Sequence, residues 1–186
     1  MGIYFTSDLH IGHDKDFIYK PRGFNNITEM DDAIIKNFSK ILTFEDTLYI
    51  LGDIVMGGEV MHAEWNRVLY SIPCKNIYYI IGNHDSTNKC EYYDSHNFQC
   101  LGYASMLKIS KKVSLYLSHY PTITENFDEE NGKKPYVINI SGHTHSKEKF
   151  YNNNRYIYNV ALDAHDCRPV ELEQILKDIR TKDKIN

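Results

Sequence analysis

Aspartate, asparagine and histidine side chains recur at the ends of five short apolar runs in this chain. Each run is rich in β-prone residues and reads as a strand that leads straight into the polar group. The runs are Ile3–Thr6, Thr47–Leu51, Tyr78–Ile81, Ser114–Leu117 and Tyr136–Ile140, and the polar residues that follow them are Asp8, His10, Asp53, Asn83, His84, Asp85, His119, His143 and His145. Carboxylate and imidazole suit manganese, iron, zinc or nickel better than sulfur-preferring ions. The pattern predicts a metal site with nitrogen and oxygen ligands.

The third run shows the pattern most clearly, because Tyr78–Ile81 leads into Gly82-Asn83-His84-Asp85. In open α/β sheets, ligands bind at the carboxyl ends of strands, where the loops converge on one crevice. Taken alone, this segment reads equally well as a plain turn, since Gly, Asn and Asp are the commonest turn residues. Recurrence favours the site, because independent turns would not place histidine at four of the five strand ends.

The ordered blocks resemble the signature of the calcineurin-like metallophosphoesterases, in particular the small single-domain prokaryotic or phage type. The matching blocks are Asp8-x-His10, Gly52-Asp53, Gly82-Asn83-His84-Asp85, His119 and Gly142-His143-Thr144-His145. Each block is weak alone, but the five in this order are highly specific. One departure is Ser118, which stands where many relatives have a glycine before the histidine. The resemblance implies a four-layer α/β/β/α sandwich.

The same resemblance implies the ligands of two divalent metal ions. One ion is expected on Asp8, His10, Asp53 and His145, and the other on Asp53, Asn83, His119 and His143. Two ions bridged by Asp53, roughly 3.5–4 Å apart, share a water whose hydroxide attacks phosphorus. Two divalent ions against two carboxylates leave a formally positive pocket, which favours a phosphate substrate. Manganese or iron is expected, with zinc or nickel as alternatives.

His84 follows the expected ligand Asn83 but is absent from the ligand set. Its imidazole is therefore free to act on the reacting phosphate. The resemblance makes it a stabiliser of developing charge and a proton donor to the leaving oxygen, with Asp85 orienting it. With no cap visible in the sequence, the expected activity is a phosphodiesterase acting on small or nucleotide phosphodiesters, favoured over a phosphomonoesterase.

Substrate contacts are expected from the loop between residues 11 and 26, because loops at strand ends carry function more often than cores do. His13 is interpreted as a phosphate donor or second acid, with an exposed loop histidine as the alternative. Arg22 is interpreted as a phosphate clamp through its planar fork of donors, with a surface salt bridge as the alternative. Further candidates to line the pocket are Tyr120, Asp163 and His165, and for His165 a surface loop histidine is the slightly favoured alternative.

Composition narrows the range of partners. The 186 residues carry a net charge of −4, which gives no basic surface for nucleic acid. A nuclease on single-stranded or damaged strands is the alternative enzyme, with a sparse set of contacts in Lys15, Lys20, Arg22, Tyr19 and Tyr120. A non-catalytic scaffold with this fold is the remaining alternative, disfavoured because every signature position is filled. The expected partner is a small phosphate-ester substrate.

The compartment is read from apolar runs and cysteines. No run of 18 apolar residues exists, and the first residues lead directly into a strand, so neither a membrane span nor a signal peptide is expected. Cys74, Cys90, Cys100 and Cys167 form no C-x-x-C pair and are interpreted as reduced thiols. These features together predict a cytoplasmic protein.

Hydrophobic spacing predicts the elements that position the site. Thr28 is expected to cap a helix with apolar residues from Met30 to Leu42, and further helices are expected over Glu59–Tyr70, with Trp65 buried, and after Pro169. Strand-helix-strand alternation predicts right-handed βαβ crossovers. Antiparallel strands are expected between residues 98 and 117, and another strand within 150–160. Residues 1–186 are expected to form one domain.

Overall fold

The computed structural model describes residues 1–58, 61–124 and 136–182, and within these ranges the chain forms nine strands and five helices. The strands are β1 (Ile3–Thr6), β2 (Thr47–Ile50), β3 (Asn76–Tyr79), β4 (Gln99–Cys100), β5 (Ala104–Lys108), β6 (Val113–Ser118), β7 (Tyr136–Ser141), β8 (Ile157–Asn159) and β9 (Val170–Glu171). The helices are α1 (Asp16–Tyr19), α2 (Ile27–Ile41), α3 (His62–Leu69), α4 (Thr87–Ser95) and α5 (Leu172–Lys182).

The strands form two sheets. The first has the order β4-β3-β2-β1-β9, with β1 to β4 parallel and β9 antiparallel to β1. The second has the order β5-β6-β7-β8, with β5 antiparallel to β6 and the other pairs parallel. The predicted parallel β-α-β succession is present, and β5 and β6 form the antiparallel pair expected before residue 118. The expectation was wrong for β4, which lies in the same range but pairs parallel with β3. Parallel pairing brings the carboxyl ends of neighbouring strands to one edge of each sheet.

Two apolar clusters hold the layers together. Residues of the first sheet that point one way, such as Leu48, Ile50 and Tyr79, pack on Phe38 and Trp65 of the helices. The opposite face packs against the second sheet and α5, in a cluster that includes Phe5, Leu117, Ile140, Tyr158 and Ile175. Alternate strand residues serve the two clusters because side chains alternate across a strand. The expected α/β class, a four-layer sandwich of metallophosphoesterase type, is confirmed.

Helix α2 begins two residues earlier in the chain than the sequence predicts. Its cap is Asn26, whose side-chain oxygen accepts a hydrogen bond from the Glu29 N–H at 2.9 Å, so the prediction that Thr28 caps it is wrong. An asparagine satisfies a free N–H of the first turn as well as a threonine does. Helix α3 contains Trp65, which is buried as predicted. Residues 59 and 60 of its predicted start lie outside the described residues.

Three elements were not predicted from sequence, namely α1, α4 and β9. Helix α4 has a weak pattern because Tyr93 is its only buried residue. Strand β9 has only two residues, paired with Tyr4 and Phe5 of β1. Such short or polar segments lack the periodic signal on which sequence reading depends. Among the described residues, no helix combines the length and apolar character that crossing a membrane requires.

Candidate metal centre

The polar residues that follow β1, β2, β3, β6 and β7 converge on one edge of the two sheets. Backbone hydrogen bonds tie the loops to each other: the Asp8 N–H donates to the Gly52 carbonyl, the His10 N–H to the Asp53 carbonyl and the Gly142 N–H to the His119 carbonyl, each at 3.0–3.1 Å. The predicted meeting of strand ends therefore occurs, and it brings together all seven expected ligands.

Asp8, His10 and His145 form one set of converging side chains, called here the first ligand group. Their ligand atoms lie within 4.8 Å of one another. The Asp8 Oδ1 atom is 3.9 Å from His10 Nε2 and 3.7 Å from His145 Nε2. Burial, together with neighbouring His145 and Arg22, lowers the pKa of His10 to about 2. A neutral imidazole is the form that binds a metal ion.

Asn83, His119 and His143 form the second ligand group. The Asn83 Oδ1 atom is 2.9 Å from His119 Nε2 and 3.0 Å from His143 Nδ1, and the two ring nitrogens are 3.2 Å apart. The other His119 nitrogen, Nδ1, donates to the Leu51 carbonyl at 2.8 Å. That bond directs the Nε2 lone pair into the site, as an outer hydrogen bond does in many metal-binding histidines.

Asp53 lies between the two groups. Its Oδ2 atom is 3.8 Å from His10 Nε2 and 3.5 Å from His119 Nε2. Burial raises the pKa of Asp53, although His119 opposes the rise. Asp8 is also central, since its carboxylate joins Asp53 and His119 in a second cluster of potential ligands. Two carboxylates therefore occupy the middle of the site, with histidines on either side.

Two buried atoms of the first ligand group test whether a cation fits. Asp8 Oδ1 and His10 Nε2 are buried and have no hydrogen-bond partner within the part of the chain that the structure describes. Buried polar atoms without a partner are costly and rare in folded proteins. A divalent cation would satisfy both atoms, so the donor set fits a metal ion.

Five of the seven expected ligands have left-handed backbone conformations. Their φ angles lie between 49° and 69°, and the residues are Asp8, His10, Asp53, His143 and His145. Such angles cost roughly 1–3 kcal/mol each for residues other than glycine, and they concentrate at functional sites. The backbone strain at the strand ends therefore accompanies the gathering of ligands.

Glycines allow the loops to approach closely. A Cβ atom on Gly82 would overlap Asp53 Oδ1, and one on Gly142 would overlap Ser7 Oγ and Asp8 Oδ2. Ser118, which replaces a glycine of many relatives, is accommodated in a different way. Its hydroxyl donates to the Tyr120 carbonyl and accepts from Asn139 Nδ2, both at 2.8 Å.

A buried ion pair supports the first ligand group from behind. Asp163 Oδ2 is 3.1 Å from His145 Nδ1, and Arg22 donates to both oxygens of Asp163, at 3.1 and 2.8 Å. Arg22 also donates to the carbonyls of Asp8 and Leu9. Burial raises the pKa of Asp163, but the bonds from His145 and Arg22 outweigh it and hold that pKa well below its usual range.

Both readings of Arg22 from sequence are corrected by this arrangement. Its side chain is buried and turned towards Asp163, so it neither clamps a phosphate nor forms a surface salt bridge. Asp163, read as a pocket-lining residue, instead orients His145. Burial lowers the pKa of His145, but the Asp163 hydrogen bond and the Asp8 carboxylate together raise it by more, so the net shift is upward.

His13 contacts the first ligand group directly. Its Nδ1 atom is 3.1 Å from Nδ1 of His10, and the two ring centroids are 5.2 Å apart. Burial lowers the pKa of His13, and neighbouring His84 lowers it further. The ring is therefore half-buried at the site, and not an exposed loop histidine.

Asp85 has a different task from the one expected. Its carboxylate accepts hydrogen bonds from the N–H groups of Asp53 and Gly82, both at 2.8 Å, from the Ile54 N–H at 3.3 Å and from the Tyr93 hydroxyl at 2.7 Å. With both oxygens used in this way, Asp85 fastens the β2 and β3 loops together and does not orient the His84 ring. The expected pairing of these two residues is therefore corrected.

His84 lies on the solvent side of the ligands. Its N–H donates to Asp53 Oδ1 at 2.9 Å, and its exposed ring lies 5.7 Å from the His10 ring. Lys89 of α4 holds this loop by donating to the carbonyls of His84 and Val55, both at 2.8 Å. Lys89 was not recognised from sequence, because the helix that carries it was not predicted.

The two remaining substrate candidates separate in the structure. Tyr120 is half exposed and its ring contacts His119 and His143, so it lies at the mouth of the site. His165 instead stacks on Tyr158, and its Nε2 donates to the Asn159 carbonyl at 2.8 Å. The prediction that His165 binds substrate is corrected: the ring closes the turn after β8.

Similarity to known proteins agrees with this geometry. The chain is similar to an uncharacterized protein of Methanocaldococcus jannaschii, MJ1445 (31% identical, covering 94% of this chain and 89% of the relative), and to the gene 66 protein of Mycobacterium phage D29 (29%, covering 95% and 96%). Its fold is similar to that of a protein of unknown function from Aquifex aeolicus, AQ665, with a TM-score of 0.70 at 23% identity, covering 95% of this chain and 98% of that one.

The family model described as calcineurin-like phosphoesterase matches residues 1–185. The match spans nearly the whole chain, and the ligand groups described above fit divalent cations. The chain belongs to the calcineurin-like phosphoesterases and is a metal-dependent phosphoesterase.

Proposed function

We propose that this protein is a phosphodiesterase that hydrolyses small or nucleotide phosphodiesters at a centre of two divalent ions. The observation that carries the proposal is the position of Asp53, whose Oδ2 atom lies 3.8 Å from a histidine of the first ligand group and 3.5 Å from one of the second. A shared carboxylate supports two adjacent ions. When bound, two such ions supply positive charge against the phosphate oxygens and acidify a water molecule.

The residues around the ligands hold the substrate and move protons. His84 faces solvent beside Asp53 and His10, so we assign its imidazole to the leaving oxygen, to which it gives a proton. Its backbone is held by Lys89 and by Asp53, which keeps the ring over the ligand set. A diester is favoured over a monoester because the ring-lined mouth at Tyr120 is open to solvent.

His13 is assigned as a donor to a phosphate oxygen. The Nδ1 atoms of His13 and His10 are 3.1 Å apart, and a hydrogen bond between them requires a proton on one of the two nitrogens. If Nε2 of His10 binds an ion, its Nδ1 carries the proton and donates it, as metal-binding histidines usually do. His13 Nδ1 then accepts, and its Nε2 bears the N–H that is available to substrate.

The test is hydrolysis of bis(4-nitrophenyl) phosphate and 4-nitrophenyl phosphate by protein stripped of metal and refilled with manganese. Activity that needs the metal, with the diester cleaved faster, supports the proposal. Asp53→Asn is expected to lower kcat by about 10³-fold or more, because the shared carboxylate charge is lost. Full activity in the presence of a chelator would contradict the proposal, and faster cleavage of the monoester would assign the other ester class.

The role of His84 is tested with esters that differ in the leaving group. His84→Ala is expected to slow an alkyl ester by about 10²–10⁴-fold and an aryl ester much less, since a phenolate with a low pKa leaves without a proton. Equal losses on both esters would remove the assignment as an acid and leave only charge stabilisation. Lys89→Met removes the ammonium group that donates to the His84 carbonyl. Its activity on the two esters shows the effect of displacing the loop while the His84 ring is kept.

Manganese or iron as the metal, and the cytoplasm as the compartment, belong to this proposal. The nitrogen and oxygen ligands support either metal. All four cysteines are free thiols in the structure, which supports a reducing compartment. Metal analysis of protein purified without added metal, and fractionation of the cells that make it, test these two points.

A further inference from the structure

Tyr120 presents an exposed ring beside the second ligand group. The ring is 50% exposed, and its centroid lies 5.1 Å from that of His119 and 4.6 Å from that of His143, edge-on to both. The residue follows ligand His119 in the chain, so its backbone is fixed by the strand end. Half of the residue's surface is therefore left for contact with a bound molecule.

Phe17 presents a second exposed ring beside the first ligand group. It is 69% exposed, whereas the next two residues of α1, Ile18 and Tyr19, are buried and anchor the helix. Its ring stands edge-on to His13, at 5.6 Å and 88° between planes. Single exposed aromatic residues are common on protein surfaces. Phe17 and Tyr120 differ from the other exposed aromatic residues in the described part of the chain because each contacts a histidine of the site.

The two rings lie beside different ligand groups. Asp53 Oδ2 stands between His10 and His119, at 3.8 and 3.5 Å from their Nε2 atoms. Phe17 contacts His13, which contacts His10, and Tyr120 contacts His119. A phosphate held near Asp53 therefore has one exposed aromatic ring beside each of the two ligand groups.

We propose that Phe17 and Tyr120 are stacking platforms for the two ester groups of the substrate. The preferred substrate is then a phosphodiester with a planar aromatic group on each side of phosphorus, as in a dinucleotide. This inference rests on the proposed phosphodiesterase function and names its substrate class. Stacking on an aromatic ring strengthens binding of a base by about five- to hundredfold. It needs no basic surface, in accord with the net charge of −4.

The experiment compares two esters that share one leaving group, thymidine 5′-(4-nitrophenyl phosphate) and methyl 4-nitrophenyl phosphate. Phe17→Ala and Tyr120→Ala are each expected to raise KM for the thymidine ester by about five- to tenfold. For the methyl ester, KM is expected to rise only in the variant that lacks the ring on which the nitrophenyl group stacks. Phe17→Tyr and Tyr120→Phe are expected to keep wild-type KM, because the platform remains.

A matched control is Phe44→Ala, which removes a ring that is 59% exposed in the turn before β2, at the amino end of the strand and so away from the site. This substitution is expected to leave KM unchanged for both esters. Equal losses on both esters in both platform variants would mean that the rings only support the histidines, and would overturn the proposal. Unchanged KM in both variants would also overturn it.

Binding separates this proposal from the proposed function. Calorimetry is expected to show that wild-type protein loaded with manganese binds thymidine 5′-phosphate at least fivefold more tightly than inorganic phosphate. Phe17→Ala or Tyr120→Ala is expected to remove that preference. If wild-type protein hydrolyses no ester, the phosphodiesterase proposal fails, but the binding measurement still tests the stacking role of Phe17 and Tyr120. A preference for thymidine 5′-phosphate that neither variant reduces would overturn that role.

Discussion

The first ligand group rests on buried charged side chains, whereas the second rests on the backbone. Behind His145 lie Asp163 and Arg22, both buried and joined by two hydrogen bonds. Behind His119 lies the Leu51 carbonyl, and the other second-group side chains contact each other. The first group is thus fixed by charged side chains, and the second by a backbone carbonyl at the end of the neighbouring β2. Side-chain substitutions are expected to damage these supports unequally.

The largest expected effect comes from Asp163→Ala. It leaves the buried Arg22 guanidinium without its carboxylate, which costs about 3–5 kcal/mol of unfolding free energy. Urea denaturation of the metal-free protein measures it. The control is Asp32→Ala, which removes an exposed pair with Arg67, a residue that keeps its pair with Glu64, and it is expected to cause no measurable change. A loss as small as that of the control would show that the first group does not depend on the ion pair.

Asp85→Ala is expected to have the next largest effect. The carboxylate joins the β2 loop, which carries Asp53, to the β3 loop, and its removal leaves buried N–H groups of Asp53 and Gly82 without an acceptor, at a cost of about 2–4 kcal/mol. His84→Ala, measured by the same urea denaturation, is expected to leave stability unchanged because its ring is exposed. If Asp85→Ala instead reduced only activity, the role in orienting His84 would be restored.

His13→Ala is expected to weaken metal binding at one group only. Loss of a hydrogen bond to a metal-binding histidine typically lowers affinity by about 10–100-fold. Calorimetric titration with manganese is expected to show one weakened step, that of the first group containing His10, and one unchanged step. His62→Ala removes a histidine that contacts Trp65 and Tyr92 on α3 and α4, and is the control. Equal weakening of both steps would contradict the separation of the groups.

The smallest expected effect concerns Asp31, which lies on α2 and accepts from the Gly12 N–H at 3.1 Å, next to His13. Burial raises its pKa to about 8, with Glu64 adding to the rise. Between its unfolded pKa of about 4 and this value, the folded state holds a proton that the unfolded chain releases, so stability falls as pH rises.

Asp31→Asn keeps an acceptor for Gly12 and lacks this dependence. Its stability relative to wild type is expected to rise by about 1–2 kcal/mol from pH 4 to pH 8, less than the whole shift would give because Glu64 shares the proton. Thermal unfolding across this range measures the difference. Asp32→Asn, at an exposed neighbour in the same helix, is expected to show no such trend. Parallel curves for Asp31→Asn and wild type would show that Asp31 ionises normally.

Sequence reading found the strand ends and the ligands because both are local signals. An apolar run of four residues followed by Asp, Asn or His is visible in one segment, and the parallel pairing brings such segments to one edge. It failed for Arg22, whose partner Asp163 is 141 residues away, and for Asp85, whose acceptor role depends on a loop 32 residues earlier. It also missed α4, because that helix buries one side chain.

The sequence by itself determined the α/β class, the order of the ligand blocks and the membership of a metal-dependent family, because hydrophobic period and residue type are properties of single segments. Only the tertiary structure decided what stands behind each ligand. Arg22, Asp163, His13 and Asp85 are ordinary polar residues in the chain, and each is given its role by a partner that folding brings within hydrogen-bond distance. Hydrogen bonds act over about 3 Å of space, whatever the separation along the chain.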